Sequence, residues 1–195
     1  LVTASEITTS RTNWEDRATC VLFGDGAGAV VLSDKEPGPG QAVLEDIILH
    51  SDGSLWPLLP VNGGGSGAPL KLGQAVREDF FIEMNGPEVY KNAVRAMGHV
   101  SEEIMARNGL SMDDVDLFIP HQANLRIIEA VGKRLGLTGD RVMVTVDRYG
   151  NTSAASVGIA LADAIAEGRI KPGSRVLMTT FGGGFTWGAC LLKFS

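Results

Sequence analysis

The sequence is short of basic charge, of cysteine and histidine, and of long hydrophobic runs. Each shortage closes off a class of function. The 195 residues hold 17 lysines and arginines against 23 acidic residues, a net charge of −6. Nucleic-acid binders need a basic face, so no nucleic-acid partner is expected. No apolar run approaches the roughly 20 residues of a membrane span, so no membrane partner is expected either. The opening "LVTASEI" has no charged segment leading into an apolar one. No secretory signal is visible there, and a cytoplasmic chain is the expectation. The two cysteines, Cys20 and Cys190, lie in apolar, strand-like runs and read as buried reduced thiols. Only three histidines occur, His50, His99 and His121. One of them, in "IPHQAN", directly follows a proline at the end of an apolar run.

What is present fits a folded domain. Hydrophobic residues make up 44% and charged residues 21%, ordinary values for a globular chain of one large or two small domains. The 25 glycines sit between apolar runs, where they imply tight turns and close backbone approaches. The chain has no initiator Met and reads as a strand from its first residue, the pattern of a fragment or a processed chain. Residues 8–18 read as a polar loop, and 19–33 as two strands around a glycine-rich turn. "DKEPGPGQ" (34–41) has the Pro/Gly density of a linker, which divides the chain into 1–36 and 41–195. A strand is expected over 42–51 and a long loop over 52–79. Helices follow from near Asn85–Pro87 to "NG" at 108–109, over 123–136 with Leu125, Ile128, Val131 and Leu135 on one stripe, and over 152–168. Strands are expected at 115–119, 141–146, 175–181 and 186–194. This alternation implies an α/β sheet with helices packed on it; the small residues of the third helix imply close packing, even burial on all sides.

"GDGAG" at 24–28 resembles a phosphate loop, yet a β-type sequence follows it where such loops need a helix N-terminus. It reads as a structural turn. "NGGGSG" (62–67) lacks the Lys and the flanking elements of a P-loop, and "NTS" (151–153) has no secretory context. Three loops remain: "PHQAN", "RYGNTS" and "FGGGF". Each is expected just after a strand, at the carboxyl end where open α/β sheets collect ligands. His121, Asn151 and the N–H groups around Gly183 are therefore expected to converge. The first two supply hydrogen-bond donors or a proton shuttle, and the third an oxyanion site. Taken singly, a structural histidine and a helix N-cap asparagine are the simpler explanations.

"IPHQANLRIIEAVGKRLG", "DRYGNTSAASVGIALADAI", "FGGGFTWGACLL" and "DRATCVLFGDGAGAVVL" together resemble the β-ketoacyl-[acyl carrier protein] synthase III family. The resemblance covers essentially the whole chain but only the second part of such an enzyme. It implies a thiolase-like α/β fold, αβαβα in the full enzyme. This chain would hold the C-terminal half (41–195) and the last strands of the N-terminal half (1–36). It implies a Cys-His-Asn set. The cysteine takes an acyl group from acetyl-CoA or another short acyl-CoA. Malonyl-[acyl carrier protein] then loses CO₂, and the enolate attacks that acyl group to start fatty-acid synthesis.

Residue by residue, the resemblance makes His121 and Asn151 the catalytic pair. Gly183 becomes an oxyanion N–H, and Phe181 shapes the pocket beside it. Arg17, Gly86, Tyr90, Ala123 and Asn124 match positions along the CoA and pantetheine channel, with Pro87 replacing a polar residue. Lys91, Arg126, Lys133 and Arg134 match a basic rim that meets the acidic carrier protein; a solvated helix face is the alternative for Lys133 and Arg134. No metal and no bound cofactor are implied, since CoA thioester and phosphopantetheine enter as substrates. The family's cysteine opens a helix, where the thiolate is favoured. Neither Cys20 nor Cys190 is so placed, so the chain alone is expected to be inactive. It would need the missing N-terminal half and a homodimer partner, or else self-associate through exposed apolar faces. The competing readings are a non-catalytic fragment that binds CoA or carrier protein, and a related thiolase-fold synthase of secondary metabolism or of hydroxymethylglutaryl-CoA.

Overall fold

Alternation in the strands and small residues in one helix set the layering. The computed structural model describes residues 1–195. Four strands form the main sheet: β3 (Ala42–Ser51), β4 (Leu117–Pro120), β5 (Arg175–Gly182) and β6 (Thr186–Phe194), in the order β3-β6-β5-β4. β4 and β5 run parallel; the other pairs are antiparallel. Successive side chains of a strand face opposite sides. Phe118, Leu177, Ala189 and Leu191 therefore join the core beneath α1 (Gly86–Arg107) and α2 (Leu125–Leu135). Leu117, Ile119, Val176 and Phe194 turn to α4 (Ala155–Ala166), meeting Ala160 and Ala164. On the far side of α4 lies a second sheet of two antiparallel strands, β1 (Val2–Ile7) and β2 (Asp25–Val30). The layers thus run α, β, α, β. No helix is long and apolar enough to cross a membrane.

Three expectations are corrected. "GDGAG" is not a turn: Asp25–Gly28 lie inside β2. A Cβ on Gly26 would stand 2.8 Å from the Ile159 side chain, so this glycine lets the strand lie close on α4, whereas one on Gly28 would only touch the Gly158 backbone at 3.4 Å. "TCVLF" is not a strand. Asp16 accepts hydrogen bonds from the Ala18 N–H at 2.9 Å and the Thr19 hydroxyl at 2.6 Å, folding the chain into turns that contain Cys20. Such side-chain-to-backbone bonds compete directly with a strand. "RVMVTV" is also not a strand. Val142 makes one isolated bridge to Phe118, and the Val146–Tyr149 segment is a short helix, α3.

The helices start and stop largely where the sequence places them. Asn85 caps α1 by accepting the Glu88 N–H, with proline in the first turn. Asn124 caps α2 through Oδ1 to the Ile127 N–H at 3.0 Å, and Gly136 closes it. The apolar stripe of α2 is Ile127, Ile128, Val131 and Leu135, whereas Leu125 is exposed. α4 is buried toward both sheets but not all round: Ile165 is exposed and Glu167 pairs with Arg148.

Candidate active site

A groove of about 1710 Å³ opens at the carboxyl ends of β4 and β5. His121, the residue after β4, lines it and is only 9% exposed. Its N–H donates to the Thr179 carbonyl at 2.7 Å, which fixes the backbone to β5. Its ring Nδ1 lies 2.7 Å from the Ser156 hydroxyl on α4. Burial disfavours the imidazolium and pushes the His121 pKa down to about 4, so the ring is neutral near pH 7.

Asn151 reaches the same groove from the turn between α3 and α4. Its backbone is tied to residues 22–24: its N–H donates to the Leu22 carbonyl at 2.8 Å, and its carbonyl accepts from Gly24 at 3.0 Å. Gly150 precedes it at φ 68°, in the left-handed region that suits glycine. The Asn151 Oδ1 accepts the Ser153 N–H at 3.0 Å. The side-chain oxygen is thereby used, and the Nδ2 amide remains a donor. Gly183, in the turn after β5, also lines the groove, and its N–H makes no hydrogen bond within the chain. Phe181 lies just before it at the groove wall, against Phe185 at a centroid distance of 4.7 Å.

The other expected positions divide in two. Gly86, Tyr90, Ala123 and Asn124 line the groove, and so do Lys91 and Arg126 at its rim. Asn124 spends Oδ1 on its helix cap, leaving only its amide hydrogens for a ligand. Arg17 is exposed on the turns before β2 and outside the groove. Lys133 and Arg134 also lie outside it. Arg134 is held by both Glu102 carboxylate oxygens, at 3.1 and 2.9 Å, and packs on Gly98, so its charge is engaged in joining α2 to α1. His50 packs on Trp187 and bonds Glu103 at 2.8 Å, and His99 is exposed on α1.

Sequence reasoning passed over Gln122 and Ser156, although both stand inside the quoted motifs. Gln122 is 1% exposed and uses all of its side-chain capacity. Its Nε2 donates to the carbonyls of Pro120 and Met143 at 2.7 and 3.2 Å. Its Oε1 accepts the N–H groups of Thr145 and Val146 at 2.7 and 3.2 Å. One side chain thus replaces the strand pairing expected at 141–146 and ties the His121 loop to the segment leading to Asn151. Neither cysteine lines the groove. Cys190 is in mid-β6, with its thiol pushed up to about 11 by burial.

Residues 1–53 match the family model for 3-oxoacyl-[acyl-carrier-protein (ACP)] synthase III, and residues 105–194 match its C-terminal model. The chain belongs to the 3-oxoacyl-[acyl-carrier-protein] synthase III family. It is 60% identical over 195 residues to the β-ketoacyl-[acyl-carrier-protein] synthase III of Nitratidesulfovibrio vulgaris strain DP4, covering 100% of this chain and 59% of that protein. The synthase III of Aquifex aeolicus VF5 superposes with a TM-score of 0.86 at 42% identity, over 99% of this chain and 57% of that one. That of Thermus thermophilus gives 0.86 at 43% identity, over 100% and 58%. The chain therefore has the thiolase-like α/β fold of synthase III but spans under two thirds of the length of these relatives.

Proposed function

We propose that the chain forms part of a decarboxylating condensing enzyme. The whole enzyme would join acetyl-CoA, or another short acyl-CoA, to malonyl-[acyl carrier protein] and so start fatty-acid synthesis. The observation that carries this reading is the meeting of His121, Asn151 and the free Gly183 N–H on one groove. When a malonyl thioester loses CO₂, the electron pair of the broken bond passes to the thioester carbonyl, and charge builds on its oxygen. Neutral donors fixed in place at that oxygen stabilise the enolate without reorganising. A ring N–H of His121 and the Asn151 amide have that character. The Gly183 N–H serves the second oxyanion, formed when the enolate attacks the acyl group, with Phe181 walling that pocket.

In this reading residues 1–36 close one thiolase-like half and residues 41–195 make the other, in a cytoplasmic homodimer. Gly86, Tyr90, Ala123 and Asn124 line the pantetheine path, and Arg17 lies beside the CoA nucleotide. Lys91, Arg126 and Lys133 form the basic rim for the acidic carrier protein. Arg134, already paired, holds the rim helix in place. The nucleophilic cysteine comes from outside this chain, because Cys20 sits in a turn and Cys190 in mid-β6, both half-buried, and neither lines the groove.

Titrating malonyl-CoA into ¹⁵N-labelled chain tests the reading. Perturbation of the His121 ring and the Asn151 side-chain amide is expected. Spectra unchanged at millimolar ligand would overturn it. Acetoacetyl product from a homogeneous sample of this chain alone would overturn the external nucleophile.

A further inference from the structure

Behind the groove lies a buried polar contact that the condensation reading leaves unused. Ser156, in the first turn of α4, is 2% exposed. Its Oγ lies 2.7 Å from His121 Nδ1 and 3.3 Å from the Gln122 N–H, which donates to it. A hydroxyl has one hydrogen to give and can accept from others. Here the Gln122 N–H fills an acceptor place, and the hydroxyl hydrogen has one acceptor in reach, Nδ1. Helical serines often satisfy that hydrogen on the carbonyl four residues back. Ser101 on α1 does so, donating to the Met97 carbonyl at 2.7 Å, whereas Ser156 makes no such bond. If Nδ1 carried the ring proton instead, Ser156 would face two donors, and its own hydrogen would be buried without a partner. That arrangement is the costlier one.

We infer that Ser156 is a positioning residue: it donates to Nδ1 and holds the His121 proton on Nε2, the ring nitrogen with no partner in the chain. Gln122 backs the device, since its side chain ties the Pro120 carbonyl just before His121 to the 143–146 backbone and its own N–H occupies Ser156. The consequence is a neutral imidazole that presents a donor, not a lone pair, to whatever oxygen enters the groove. The inference rests on the proposed reading of His121 as a donor to a thioester oxygen. Its test needs neither ligand nor turnover, so the two can fail separately.

In chain labelled with ¹⁵N-histidine at neutral pH, His121 is expected to show pyrrole-type Nε2 and pyridine-type Nδ1. Its signals are assigned by their loss in His121→Gln. In Ser156→Ala the tautomer ratio should move roughly tenfold toward Nδ1–H, the scale of one lost hydrogen bond. Ser156→Thr, which keeps a hydroxyl, should hold the parent pattern. If Ser156→Ala does not fold, Ser156→Cys, a poor donor of similar shape, carries the same comparison. Pyrrole-type Nδ1 in the parent, or an unchanged ratio in the folded alanine or cysteine variant, overturns the inference. If the tautomer result stands while malonyl-CoA perturbs nothing, only the functional reading falls.

Discussion

At His121 the decisive force is solvation. The ring is buried with no carboxylate recorded against it, so nothing offsets the cost of charging it, and its pKa falls from the usual 6.5 to about 4. The sign of the stability effect follows. Between about pH 6.5 and pH 4 the unfolded chain binds a proton that the folded chain refuses, so stability falls as pH falls across that window. The full loss is on the order of 3 kcal/mol, reached below pH 4. Denaturant melts at pH 7 and pH 4.5 should show the parent losing more stability than His121→Gln; equal losses would refute it. Asn151 offers a cleaner separation of site from scaffold. In Asn151→Asp the Oδ1 that accepts the Ser153 N–H survives, while the Nδ2 donor becomes a charged oxygen. Malonyl-CoA perturbation should disappear, with stability within about 0.5 kcal/mol of the parent.

At the scale of elements, the glycines in and just before β2 do different jobs, and substitution tells them apart. A Cβ on Gly24 would collide with the Tyr149 carbonyl, a backbone atom beside the turn that carries Asn151. Gly24→Ala should therefore cost about 1–3 kcal/mol and disturb the Asn151 amide signals. A Cβ on Gly28 meets the Gly158 backbone at 3.4 Å, ordinary contact, so Gly28→Ala should be near neutral in a thermal melt. The same strand marks a limit of what the sequence made legible. Its glycines answer to α4, a partner more than a hundred residues away, so locally they looked like a turn. The segment 141–146 failed for a related reason. Its β-type residues are real, but the Thr145 and Val146 N–H groups are captured by Gln122 instead of a neighbouring strand. The caps of α1 and α2 were readable because Asn85 and Asn124 act within three residues. The convergence of His121 and Gly183 was readable because both directly follow strands. Ser156 was not, because its role depends on a contact made only when α4 docks behind β4.

At the scale of the whole molecule, a chain of net charge −6 would meet the proposed acidic carrier protein through a local field, since its overall charge repels such a partner. The rim cations are not equivalent in this respect. Arg126 and Lys133 are exposed and make no ion pair, whereas Arg134 is committed to Glu102 across the helix pair. Lys91 stands between, with an exposed Glu88 at 2.7 Å. An exposed charge contact contributes at most about 1 kcal/mol, so Arg126→Ala or Lys133→Ala should weaken carrier-protein binding no more than roughly fivefold each. Salt should weaken the parent more than the double variant, because the screened interaction is the one removed. Arg134→Ala should behave differently: melting falls as the α1–α2 link is lost, while the salt dependence of binding stays that of the parent. Binding isotherms at two ionic strengths, measured beside thermal melts, separate the cases. If Arg134→Ala flattened the salt dependence while Arg126→Ala and Lys133→Ala did not, the division of the rim into docking and bracing cations would be wrong.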